Sequence, residues 1–337
     1  MPICYAILWI ESFSPTSTSR IMSKPIKPLD LKKLKTYSLA KRKSKVSLRD
    51  FARPWHKGNG FKEFLSGLPD ILAGSHVRAV ISAIVNAYRE NRTVVFAMGA
   101  HVIKVGLNPT VIDLMERGII SAVAMNGAGI IHDAELAMAG KTSEDVSTSL
   151  GDGSFGMVEE TAEFLNTAIH NAEAESLGLG DAVGRLVVDR KLPHQETSIL
   201  AAGVRLNIPV TVHLAFGTDI LHMHPDFDPK AAGAATHRDF RIFATVVSTI
   251  EKGVYLNVGS AVILPEVFLK AVTMARNLGS PLEAFTAVNI DFIRHYRPLT
   301  NVVQRPTASG GLGIDLAGHH EILIPLIAAG IIEQLDA

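Results

Sequence analysis

From about residue 60 onward, short apolar runs rich in Val, Ile and Ala alternate with stretches of helical spacing, and the connections between them are short. That alternation constrains the chain more than any other feature. A strand covered by helices on both faces reads as a continuous apolar run, and a helix between consecutive strands makes a parallel crossover. Helical spacing over 77–88 leads into a strand at 93–98 that ends at Gly99. Asn108 and Pro109 then open a helix that stops at Gly118. Further strands are read at 119–125, 208–215, 254–258 and 285–290, with helices at 155–174, 197–206, 265–278 and 321–335. The expectation is an α/β, Rossmann-like doubly wound fold with a mostly parallel sheet and helices on both faces. In such sheets ligands bind beyond the carboxyl ends of the strands. Aromatic residues make up only 6% of the chain, which suits this architecture and not a β-sandwich.

The domain reading follows from charge. Residues 24–57 carry twelve Lys or Arg against Asp30 and Asp50, while the whole chain is formally neutral, so a basic arm precedes an acidic body. We read 1–57 as tail and arm and 58–337 as one domain. Tyr37, Val46, Phe51 and Trp55 interrupt the charges as docking residues would, so the arm is expected to dock on its own body or a neighbouring subunit, and nucleic acid is not an expected partner. The only cysteine, Cys4, excludes an internal disulfide framework and a thiolate zinc site, and a cytoplasmic setting is the natural expectation. The apolar run 3–10 has no basic residue before it and Glu11 after it, unlike a signal peptide, so residues 1–21 are read as a short tail or an upstream extension. Nothing later approaches a membrane span.

Unusual polar residues stand where strands end. Asn126-Gly127-Ala128-Gly129 follows a strand and precedes a helix, so its N–H groups can cradle a phosphate, or its glycines can serve only the tight turn. His132 and Asp133 suit proton transfer, and Asp133 equally suits helix capping. His222 and His224, with Asp226 and Asp228, offer a possible divalent-metal ligand set on one loop, or a solvated loop. Asp219 and Asp315 can contact a ligand or cap a helix. His319, His320 and Glu321 open the last helix, with the histidines facing either the cleft or solvent.

The stretch 97–136 resembles the first βαβ unit of the deoxyhypusine synthase family, and the similarity continues in outline through 207–215, 252–259, 285–289 and 315–327. The arm segment 37–55 resembles the family's N-terminal arm, which caps a site on a neighbouring subunit. The resemblance implies a homotetramer, NAD at subunit interfaces and a small-molecule substrate. It also implies cofactor-binding roles for Gly99, Asn126, Gly127, Gly129, Asp315 and His319, and catalytic roles for His101, His132, Asp133 and Asp219. Three departures stand against the family's own chemistry. No lysine follows Lys270, so the imine-forming nucleophile is missing. The turn after Val258 lacks the family's histidine. Arg294 and Arg297 replace its acidic run, which favours an anionic ligand. The expected function is therefore an NAD-binding enzyme doing redox or transfer chemistry without a lysine imine. A metal-dependent hydrolase or lyase, or a non-catalytic binding protein, is the alternative. Authentic deoxyhypusine synthase is a third reading.

Overall fold

The computed structural model describes residues 26–335, and the chain divides into two units, 1–45 and 46–337. Cys4, the apolar run 3–10 and the expected tail 1–21 lie outside the described residues. In the first unit the described chain is extended apart from two single turns, Leu31–Lys33 and Leu39–Lys41, whose first N–H groups are capped by Asp30 and Ser38. Every described residue here is exposed, including Leu31, Tyr37 and Leu39. A segment this rich in lysine, with no apolar periodicity, has nothing with which to build a core of its own.

The second unit opens with a turn at Leu48–Asp50 and helices α1 (Phe61–Gly67) and α2 (Leu72–Arg89). Residues 46–57 of the expected arm belong to it: Arg53 N–H donates to the Gly67 carbonyl, and the Trp55 ring stands edge-on to Phe64 with centroids 6.1 Å apart. The α/β body follows as β1 (Val94–Met98), α3 (His101–Lys104), α4 (Asn108–Glu116), β2 (Ala122–Asn126), α5 (Gly127–Ala139), α6 (Val146–Ser149), α7 (Glu159–Ala174), α8 (Leu179–Asp189), α9 (Ile199–Leu206) and β3 (Val210–His213). It is completed by α10 (Pro229–Ser248), β4 (Val254–Val258), α11 (Ile263–Asn277), β5 (Thr286–Asp291), α12 (Tyr296–Pro298), β6 (Leu312–Ala317) and α13 (His320–Leu335).

All six strands are parallel, in the order β3-β2-β1-β4-β5-β6, so the expected doubly wound fold is the observed one. The order reverses between β1 and β4, and the turns after these two strands flank the crevice where such sheets bind ligands. Strand residues alternate between two cores. Phe96, Met98, Val123 and Met125 enter the one beneath α2, α5 and α13. Val95, Ala97, Ala124 and Tyr255 enter the one beneath α10 and α11, where Tyr255 and Phe268 stack at 3.6 Å.

Of the elements that escaped the sequence reading, three bear on the sheet. The 20-residue α10 starts at an Asp228-Pro229 cap, but alanines at its buried positions 231, 232 and 235 dilute its periodicity. The helix α8 spends its first turn on Leu179 and Gly180, the latter packed against the backbone of β3. Gly313, read as part of a flexible loop, lies in β6, where a Cβ would stand 2.2 Å from the Val303 carbonyl oxygen. Asn108 proves to be the first residue of α4, with Leu107 as its cap.

Candidate functional site

Strand register gathers the polar residues at the carboxyl edge. Thr211, Ala124, Ala97, Asn257, Asn289 and Asp315 lie side by side across the sheet, and two residues further on His213 pairs with Asn126 and Asp291 with Ala317. Both rows share one face because side chains alternate with period two. In the first row Asn257 Nδ2 donates to Asn289 Oδ1 at 2.8 Å, Asn289 Nδ2 donates to Asp315 Oδ1 at 2.9 Å, and Arg294 Nε meets Asp315 Oδ2 at 2.8 Å. Arg297 likewise pairs with Glu266. Both arginines thus already pair with carboxylates through Nε, so neither stands at the edge as an uncompensated charge.

Over the turns that follow β1, β4, β5 and β6 stands an aromatic cluster. The His101 ring is 5.4 Å from that of His320 and 5.7 Å from Phe292, and Phe292 stacks on His319 at 6.2 Å. His320 is fully buried, whereas the His319 side chain is 67% exposed. The inward histidine is therefore His320, not the His319 favoured above. The signal was available: Ile324, Ile327, Ala328 and Ile331 bury the face of α13 that includes position 320. His320 Nε2 lies 3.1 Å from the Ile290 carbonyl oxygen, an atom that only accepts, so Nε2 carries the proton. Burial also lowers this imidazole's pKa, leaving Nδ1 as a bare lone pair.

At the β2 and β3 turns, α5 begins at Gly127 with the Asp219 carboxylate already in place. A Cβ on Gly127 would lie 2.1 Å from Asp219 Oδ2, the Ala128 N–H bonds to this carboxylate, and burial raises its pKa. A Cβ on Gly129 would lie 2.9 Å from Met125 Sδ. These glycines answer to close packing, and the helix start expected to cradle a phosphate instead receives a carboxylate of the chain itself.

Nor do the expected metal ligands converge. His222 Nδ1 accepts from the N–H groups of Gly217 and Asp219, His224 Nε2 faces the Gly156 carbonyl, and Asp228 caps α10. No group of three or more His, Cys, Asp or Glu among the described residues can hold a metal ion. The metal reading of His222 and His224 is accordingly dropped.

His132 and Asp133 point apart. Asp133 is completely buried and accepts from Ser198 Oγ at 2.5 Å, Ile199 N at 2.9 Å, Leu200 N at 3.3 Å and Asn108 Nδ2 at 3.1 Å, so from α5 it completes the cap that Ser198 gives α9. With every partner spoken for, it has no part in proton transfer. His132 Nδ1 meets Thr142 Oγ1 at 2.7 Å, and that hydroxyl donates to Glu135, so the imidazole is held between α5 and the loop after it. Lys270 pairs with Glu266 on the surface of α11.

Seven buried side-chain N or O atoms among the described residues have no hydrogen-bond partner, and four belong to residues at this edge: Asn126 Oδ1, Asn257 Oδ1, His320 Nδ1 and His222 Nε2. Burying a polar atom unsatisfied costs about 1–3 kcal/mol, so these atoms complete their bonding with a ligand or with ordered water.

No protein-family profile matches the chain, and no curated protein matches it. Solved structures do. The complex of AgrE with ornithine and NAD+ is 14% identical over 79% of this chain and 34% of that one, with a TM-score of 0.51. ArgZ, an arginine dihydrolase of the cyanobacterial ornithine-ammonia cycle, is 15% identical over 77% of this chain and 31% of its own, with a TM-score of 0.48. A candidate deoxyhypusine synthase from Entamoeba histolytica is 14% identical over 84% of this chain and 96% of its own, with a TM-score of 0.48. The chain thus spans about a third of the length of AgrE and ArgZ. Identities this low show a shared fold.

Proposed function

We propose that this chain is a dinucleotide-binding enzyme that takes NAD across the β1/β4 switch point and performs redox or transfer chemistry on a small substrate without a lysine imine. The observation that carries the reading is the buried, unsatisfied Asn126 Oδ1 at the carboxyl end of β2. Dinucleotide folds place at that point the group that receives a ribose hydroxyl, and an acceptor without a donor is what such a hydroxyl completes. Of the two turns expected to bind cofactor, we assign the pyrophosphate to that of Gly99 and not to that of Gly127 and Gly129. With Asp219 bonded to the start of α5, the pyrophosphate would belong at the first βα turn, Gly99 to His101, where the Gly99 N–H is already bonded to the Val258 carbonyl and the N–H groups of Ala100 and His101 begin α3. That turn retains one glycine of the dinucleotide fingerprint. When bound, NAD would supply a two-electron acceptor.

The chain's own residues then bind and orient. Asn126 would hold the ribose, the Asn257-Asn289-Asp315 ladder keeps the strand ends in register, and His101, half-buried at the switch point, is the side chain placed to exchange a proton with substrate. AgrE, which shares the fold, binds NAD+ in its complex with ornithine. The N-terminal arm docking on a neighbour within a homotetramer belongs to the same proposal and rests on the exposure of its apolar residues.

Calorimetric titration with NAD+ and NADH tests the reading. Saturable binding is expected, weakened about tenfold in Asn126→Leu, roughly the worth of one hydrogen bond. Absence of saturable binding by both nucleotides would overturn it.

A further inference from the structure

The strongest unassigned feature of the edge is the imidazole of His320. Its ring rests on Gly259, which has φ +65°, and a Cβ there would lie 2.7 Å from the ring's Cε1. The turn after β4 has therefore given up a side chain to seat this ring. Nε2 is tied to the Ile290 carbonyl, with Asp291 Oδ1 4.0 Å away, and Asp291 is itself occupied by the Phe292 N–H at 2.8 Å. Nδ1, on the other side of the ring, is buried and has no partner. His101 and Phe292 flank the ring, and Phe292 is about half exposed, so part of the cover over the site reaches solvent.

We propose that Nδ1 of His320, with His101 beside it, is a subsite for a neutral hydroxyl group of the substrate. A bare lone pair requires a donor, which excludes a carboxylate or phosphate oxygen. An ammonium group would bring a full charge to a buried nitrogen while the nearest carboxylate, Asp291, is turned to the opposite nitrogen, so the charge would be desolvated without a counter-ion. A hydroxyl brings one proton to donate and no charge. This inference deepens the preceding reading and rests on it for the placement of the ligand at this edge. Its test uses no dinucleotide, so the two can fail separately.

The test is nitrogen NMR of the full chain labelled with 15N in its histidine rings, titrated with three three-carbon probes: glycerol, 1,3-diaminopropane and malonate. Before any probe, His320 should show an unprotonated Nδ1 and a protonated Nε2, and the reverse tautomer would overturn the proposal. Glycerol should then move the Nδ1 resonance and leave Nε2 nearly still. His320→Phe, which keeps a ring on Gly259 but has no acceptor, should weaken glycerol binding about tenfold, as followed by the His101 resonances. His320→Asn, which restores an acceptor near the Nδ1 position, should recover part of it. A response to diaminopropane or malonate with none to glycerol would overturn the proposal even if both variants fail to fold, because it is read on the unaltered protein.

Discussion

Two sets of buried polar groups in this molecule obey opposite rules. In the body of the fold, Asp133 and Asp239 are almost completely buried, and both are hydrogen-bonded: Asp133 with four donors, Asp239 through Oδ2 with the N–H groups of Gly180 and Val212, each at 2.9 Å. At the carboxyl edge, Asn126, Asn257 and His320 are as hidden from solvent at the atom that matters and lack a partner there. The satisfied groups tie helices to strands, and the open atoms at the edge are available to a ligand. The difference teaches that a buried carboxylate beside a histidine is poor evidence of catalysis until its hydrogen bonds have been counted.

The comparison breaks most visibly at Asp239. Asp239→Ala strands the start of α8 and the edge strand β3 together, and a loss of about 3–5 kcal/mol in chemical denaturation is expected from two unsatisfied N–H groups and a cavity. Asp133→Ala should cost about 2–4 kcal/mol through the α9 cap and the Asn108 contact, with binding at the edge retained in the folded fraction. If Asp133→Ala instead left stability untouched and abolished activity, its reading as a cap would be wrong.

Acidity sharpens the same contrast. Burial raises the Asp133 carboxyl to about 6 and that of Asp239 to about 7, from an ordinary 3.8. Each binds its proton more tightly folded than unfolded. Their contribution to stability is therefore complete below pH 3.8 and is lost as pH rises through about 6 and about 7. Denaturation midpoints measured across that window should show a downward component that is reduced in Asp239→Asn.

The edge should behave in the reverse sense. Asn126→Leu removes an acceptor that has no donor, so stability should stay within about 1 kcal/mol of the parent or rise, while dinucleotide affinity falls. A large loss of stability would show that Asn126 is structural after all. The smallest effect belongs to Lys270→Ala, expected to cost no more than about 0.5 kcal/mol because its pair with Glu266 is exposed, and to leave binding unchanged.

Much of this was written in the chain itself. Continuous apolar runs such as Val94–Met98 announce strands buried on both faces, the short connections announce parallel crossovers, and the polar residues after each run mark the edge where a ligand would lie. The phase of α13 even separates His320 from His319. What periodicity could not supply was partnership. That Ser198 and two N–H groups would come to Asp133 from 65 to 67 residues away, or that Asp219 would reach the start of α5, depends on contacts between distant parts of the chain. Local residue patterns fix which side chains face inward. Whether an inward polar atom is satisfied or left open is decided only when distant segments pack, because a hydrogen bond depends on distance and angle, not on neighbours in sequence.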